Sequence, residues 1–161
     1  DHKYTYSQLG YNLKITDVQA ACALAQFDRL PGFIAARKRN FAWLTQRLAP
    51  LADFLLLPEA TPGSDPSWFG FPLTLKPEAA CDRVDLLRYL DEQRIGTRLL
   101  FAGNVTRQPY MAGRSFRVAG SLDNTDRVMN DTFWIGLWPG LSEEMLECTA
   151  QRIDQFFGAD F

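Results

Sequence analysis

The sequence predicts an α+β fold: a small, mostly antiparallel sheet in one layer, covered by helices. Three observations carry that expectation. Helix caps stand near both ends, at Thr16 and Ser142. Between them, short apolar runs are punctuated by proline, glycine and asparagine, and stretches with helical spacing sit among those runs. The length, 161 residues, is that of one ordinary domain.

Thr16-Asp17-Val18-Gln19 has the form of a capping box, with Asp17 suited to the positive helix end. The alanine-rich run through Leu30 propagates that helix. Pro31-Gly32 interrupts it, and Pro31 starts a second helix with an apolar face of Phe33, Ala36, Phe41, Leu44 and Leu48, closed by Pro50. Residues 54–57 read as a short strand, and residues 59–66, EATPGSDP, as a surface loop. Residues 67–75, SWFGFPLTL, resume as a strand in which Phe69, Phe71, Leu73 and Leu75 alternate with Trp68, Gly70, Pro72 and Thr74. Pro72 cannot donate to a ladder, so it predicts an edge position or a bulge. The spacing predicts a helix over 82–93 with Val84, Leu87 and Leu90 on one face, ended by Gly96. A strand over 97–101 follows, its Leu99-Leu100-Phe101 read as buried. Residues 121–131 read as a helix with Leu122, Val128 and Met129 turned inward, and 133–138 as a strand stopped by Pro139-Gly140. Ser142 caps a last helix with Glu143 and Glu144 in its first turn and Met145, Leu146, Ile153, Phe156 and Phe157 on its apolar side. Residues 1–161 are thus expected to form a single domain, with 1–50 as a helical connecting segment and 51–161 as the α+β body.

Composition narrows the function classes. Apolar residues make up 47% and charged residues 22%, a globular balance. The net charge is -2 and the longest basic run is Arg37-Lys38-Arg39, which argues against nucleic acid as a partner. No apolar run approaches the roughly 18 residues of a membrane span. The opening Asp1-His2-Lys3-Tyr4 is unlike a signal peptide. Cys22, Cys81 and Cys148 form no CxxC pair, which suits reduced thiols in the cytoplasm. The only histidine is His2, so metal sites and histidine-dependent triads are poorly supplied.

Three stretches offer chemistry. In LGYNLKITDVQAA, residues 9–21, Asn12 stands on a turn ahead of a helix cap, where its amide suits either a phosphate or its own backbone. In the aromatic strand, Phe69 belongs either to the core or to a flat wall against which a ring packs. In TRLLFAGNVTRQPYM, residues 97–111, Arg98 and Arg107 bracket a turn carrying Asn104 and lead to Tyr110. Two guanidinium groups suit bidentate recognition of phosphate or carboxylate, and equally a solvated face with weak ion pairs. The spacing supplies no nucleophile or general base with an orienting partner, and no lysine placed for a Schiff base.

Residues 10–41, GYNLKITDVQAACALAQFDRLPGFIAARKRNF, resemble the segment G-[FY]-N-x-[RK]-[MIV]-[ST]-D-x-Q-A-A of the DegT/DnrJ/EryC1/StrS sugar aminotransferase family, fold-type I vitamin B6 enzymes. The stretches DHKYTYSQLGYNLKITD, LPEATPGSDPSWFGFPLTL, IGTRLLFAGNVTRQP and NDTFWIGLWPGLSEEML resemble its CDP-4-keto-6-deoxyglucose 3-dehydrase branch, which serves lipopolysaccharide biosynthesis. The resemblance covers essentially the whole chain. It implies the C-terminal small domain of such an enzyme, without the large domain that binds pyridoxal or pyridoxamine 5′-phosphate and carries the lysine or histidine facing it. The cysteine-rich insertion for a [2Fe–2S] cluster would lie upstream of Asp1, and none of the three cysteines matches its spacing.

The resemblance further implies that Asn12 reaches across a homodimer to the partner's cofactor phosphate. It places Phe69, Arg98, Asn104, Arg107 and Tyr110 near a nucleotide-sugar substrate. Phe69, within Trp68-Phe69-Gly70, stands where many aminotransferase members carry a histidine, and Leu100-Phe101 and 104–107 likewise lack histidines common there. Both departures favour dehydrase chemistry: removal of the C3 hydroxyl from a nucleotide-linked 4-keto-6-deoxyhexose. The alternatives are a sugar aminotransferase domain, or a dimerisation module that meets a partner such as a reductase and has no activity of its own.

Overall fold

The computed structural model describes residue 11 and residues 13–158, which fall into two compact units divided between Gly32 and Phe33. The elements are α1 (Asp17–Phe27), α2 (Leu30–Leu48), β1 (Leu55–Leu56), β2 (Gly70–Leu75), α3 (Arg83–Glu92), β3 (Thr97–Leu99), α4 (Asp123–Asp131), β4 (Thr132–Gly136) and α5 (Glu143–Phe156). In the first unit, the Thr16 hydroxyl accepts from the Gln19 amide and the Gln19 side chain returns to the Thr16 amide, so the capping box forms. No residue of α1 is buried, and Val18, Leu24 and Phe27 are exposed.

In the second unit the four strands pair antiparallel in the order β1-β2-β4-β3. One sheet face presents Phe71, Leu73, Leu75, Phe133 and Ile135, all buried. They pack with Leu44 and Leu48 of α2, Leu86 and Leu90 of α3, and Leu146, Ala150 and Ile153 of α5. Most of α2 therefore belongs to the α+β body through its inward side chains. Arg47 adds a polar staple there, donating to Glu147 at 3.1–3.3 Å and to Asp154 at 2.6 Å. Its guanidinium holds the Glu147 carboxyl below the usual carboxylate range.

Several local expectations are corrected. The inward pair of α3 is Leu86 and Leu90, four residues apart, while Val84 faces solvent. On α5 Met145 is exposed, while Leu146 and Ile153 go inward as expected. Leu99-Leu100-Phe101 is not a buried strand. The strand ends at Leu99, itself exposed, and Phe101 is 83% exposed at φ 50°. A residue with that φ has left the extended region, and its amide closes a tight turn on the Leu99 carbonyl at 2.7 Å. The strand expected over 133–138 starts at Thr132 and stops at Gly136, leaving Trp138 exposed. Pro72 lies on an interior strand, yet β1 pairs only with Thr74 and Leu75, so at the proline β2 is flanked by β4 alone and its other edge carries no strand.

Candidate functional site

The alternation of β2 and β4 that buries one sheet face turns Gly70, Pro72, Thr74, Thr132 and Trp134 to the other. Trp134 pairs in register with Pro72 on one side and Arg98 on the other, so the three side chains share that face. The indole lies over Gly70, where a Cβ would stand 1.9 Å from the Trp134 Cε3. Only glycine fits there. The indole nitrogen donates to the Leu99 carbonyl at 3.0 Å, which ties the ring to the neighbouring strand.

Phe69, just ahead of β2, packs on that indole with ring centroids 4.9 Å apart and planes at 49°. The residue is nevertheless 67% exposed. Arg37, from α2, places its guanidinium carbon 5.9 Å from the Phe69 centroid, within cation–π range. The same guanidinium donates to the Trp68 and Phe69 carbonyls at 3.2 and 3.1 Å. Trp68 turns away and stacks on Phe41 at 4.8 Å. Arg98 is exposed, and its guanidinium donates to the Thr97 carbonyl.

The 100–111 loop is organised differently. Asn104 is buried and caps the turn Val105–Arg107, its side-chain oxygen accepting from the Thr106 amide at 3.0 Å and hydroxyl at 2.7 Å. Its amide nitrogen donates to Asp126 at 2.6 Å. Arg107 grips both oxygens of the same carboxylate, at 3.2 and 2.9 Å. Arg107 first, and then Asn104, holds the Asp126 carboxyl below its usual range. Gly103, at φ 62°, lets the loop pass α4, since a Cβ there would stand 2.5 Å from Met129 Cβ. Beside it a cavity of about 200 Å³ lies between the loop, α4 and Arg83, which donates to the Met129 and Thr132 carbonyls. Tyr110 is exposed, and its carbonyl accepts from Arg114.

The structure thus gathers Phe69 and Arg98 with two residues that sequence reading had not singled out for the site, Arg37 and Trp134. Their grouping depends on strand register and a helix-to-loop contact, for which local spacing carries no signal. Asn104 and Arg107 belong together with Asp126, also missed, because the partner lies 22 and 19 residues away. Asn12 lies outside the described residues, as does His2.

The described residues do not fit the vitamin B6 cofactor. Such a group needs a partner for its ring nitrogen and clustered donors for its phosphate. Here Arg37 and Arg98 flank rings on an open face, and Asp126 is taken up by Arg107 and Asn104. Among the described residues no three histidines, cysteines or carboxylates group to hold a metal ion, and no helix is long and apolar enough to cross a membrane.

Known proteins agree with this architecture. The chain is 60% identical over 161 residues to the lipopolysaccharide biosynthesis protein RfbH of Salmonella typhimurium, covering all of this chain and 37% of that protein. It is 47% identical over 156 residues to the dTDP-4-dehydro-2,6-dideoxy-D-glucose 3-dehydratase of Saccharopolyspora spinosa, covering 97% of this chain and 34% of the relative. The chain therefore spans about a third of the length of these relatives. In fold it matches the E. coli GDP-4-keto-6-deoxy-D-mannose-3-dehydratase with bound hydrated PLP, at a TM-score of 0.83 and 20% identity, over 92% of this chain and 38% of that one. The family model for DegT/DnrJ/EryC1/StrS aminotransferases matches residues 1–154, and the chain belongs to that family.

Proposed function

We propose that the chain is the C-terminal domain of a pyridoxamine- or pyridoxal-phosphate-dependent nucleotide-sugar 3-dehydratase. The intact enzyme would remove the C3 hydroxyl of a nucleotide-linked 4-keto-6-deoxyhexose in deoxysugar and lipopolysaccharide O-antigen biosynthesis. The observation that carries this reading is the exposed Phe69 packed on the Trp134 indole, at the position where the resemblance implies a histidine in an aminotransferase. A phenyl ring moves no proton but gives a flat apolar wall to a sugar or base. Similarity to a 3-dehydratase at 47% identity supports the same reaction class.

In this reading the cofactor and its facing residue belong to the part of the protein ahead of this chain, with Asn12 reaching the partner subunit's cofactor phosphate. A [2Fe–2S] cluster would also lie upstream. Arg98 and Arg107 would meet the anionic part of the substrate, with Phe69, Asn104 and Tyr110 shaping the wall around it. Arg107 can do so only by sharing or leaving Asp126, whereas Arg98 needs no such exchange. The exposed Tyr11, Leu13, Ile15, Val18, Leu24 and Phe27 support a homodimer in the intact enzyme. A cytoplasmic setting and a reductase that delivers electrons complete the proposal.

The test is to incubate the intact protein and its cofactor, with a two-electron reductant such as a reductase and its reduced nicotinamide, with CDP-, dTDP- and GDP-linked 4-keto-6-deoxyhexoses. Loss of the C3 hydroxyl is expected with at least one. An amino sugar formed from an added amino donor would instead establish an aminotransferase. No reaction with any of them would overturn the enzymatic reading.

A further inference from the structure

We infer that Phe69, Trp134, Arg37 and Arg98 form the seat of the nucleotide half of the substrate, with the base on the Phe69 ring, which Arg37 and Trp134 hold in place, and the diphosphate against Arg98. This deepens the proposal above and rests on it for the ligand being nucleotide-linked.

The four side chains follow one another across the structure. Arg37 lies over Phe69, Phe69 packs on Trp134, and Trp134 is the register partner of Arg98. An exposed phenylalanine ordinarily has freedom about its side-chain bonds. This one is restrained by an indole at 4.9 Å and a guanidinium at 5.9 Å, while its own carbonyl is tied to Arg37. The indole is restrained in turn by its bond to Leu99 and by its seat over Gly70. The ring is therefore presented to solvent in a set orientation without being buried, the preorganisation a binding platform needs.

Charge selects the class of ligand. Among the described residues, Arg47, Arg88 and Arg107 form ion pairs with carboxylates, while Arg37 and Arg98 are hydrogen-bonded to backbone carbonyls. An aromatic strip with the unneutralised guanidinium of Arg98 beside it complements a ligand that joins a planar ring to an anion. A nucleoside diphosphate has both parts. A hexose brings no charge, and inorganic phosphate has no use for the rings. Stacking on a phenyl face accepts any base, and guanidinium groups suit phosphate oxygens bidentately.

Calorimetric titration of the intact protein with CDP, GDP, dTDP and inorganic diphosphate tests this. Phe69→Ala is expected to weaken at least one nucleoside diphosphate by about tenfold and to leave inorganic diphosphate within about twofold, as loss of one stacked base requires. Phe69→Trp should restore the affinity. Arg98→Ala should weaken nucleoside and inorganic diphosphate alike. Phe69→Leu keeps an apolar contact on Trp134 but removes the π face, so it should reproduce the alanine result and decides the matter if the alanine variant does not fold. Affinities for all three nucleoside diphosphates unchanged in Phe69→Leu and Arg98→Ala, or no binding by the unaltered protein, would overturn the inference. Binding is read without turnover, so the two proposals fail separately. A protein that dehydrates its substrate but binds normally through Phe69→Leu loses only this inference. One that binds nucleotides through Phe69 yet dehydrates nothing loses only the reaction.

Discussion

The two faces of the sheet are woven from the same strands, residue by alternate residue, yet they are held in order by different means. Phe71, Leu73, Phe133 and Ile135 are fixed because helices α2, α3 and α5 close over them. Phe69, Trp134 and Arg98 are fixed, or aligned, by backbone: a glycine that leaves room for an indole, a carbonyl that accepts its N–H, and a register that sets the arginine beside it. The first arrangement yields stability through burial. The second holds side chains in place while leaving them open to solvent, which is what recognition demands.

Substitutions that attack each face should therefore differ in size and in kind. The largest effect is expected from Phe71→Ala, which empties a fully buried position and should cost about 3–5 kcal/mol in chemical denaturation. Gly70→Ala attacks the other face. Its new Cβ would stand 1.9 Å from the indole, so the ring must move, at a cost of about 1–3 kcal/mol and with a changed tryptophan emission spectrum. An unchanged spectrum would show that the indole is not seated over residue 70. Trp134→Phe keeps a ring but loses the bond to Leu99, for about 1 kcal/mol. Arg98→Ala should change stability by less than about 0.5 kcal/mol, since the side chain is exposed, and a larger loss would make it a structural residue.

The smallest effect concerns pH. Asp126 is held below its usual range by Arg107 and Asn104, so its contribution is complete above the ordinary aspartate value and is lost as pH falls through the lowered one. The side-chain amide resonance of Asn104 should then stay constant from neutral pH down to the ordinary carboxylate range and shift only below it. A shift near pH 5 would break that account.

Local chemistry made the helices legible. Thr16 and Ser142 cap as their spacing requires, and the proline at 72 sits where the ladder is one-sided. The fold class followed from those signals and from the alternation of 70–75. The site was legible only in part. Phe69 and Arg98 stood out as residue types, but Arg37 reaches Phe69 across 32 positions and Trp134 meets Arg98 across 36, contacts made by tertiary packing and register. Leu99-Leu100-Phe101 misled because an apolar run signals burial only while the chain stays extended, and Phe101 turns into a left-handed conformation.

Helix α4 ends at Asp131 and strand β4 begins at Thr132, with no residue between them. Arg83 seals that seam from α3 by donating to carbonyls on both sides of it. The seam makes the chain intolerant of changes in length there. One inserted residue would exchange the two faces of β4, sending Trp134 toward the helices and Phe133 into solvent, and would strand Arg98 without its neighbour. Homologous sequences should accordingly gain or lose residues in the 59–66 and 112–120 loops, while the count from 123 to 136 stays constant. An alignment with gaps inside that interval would show that the aromatic strip is not a shared inheritance.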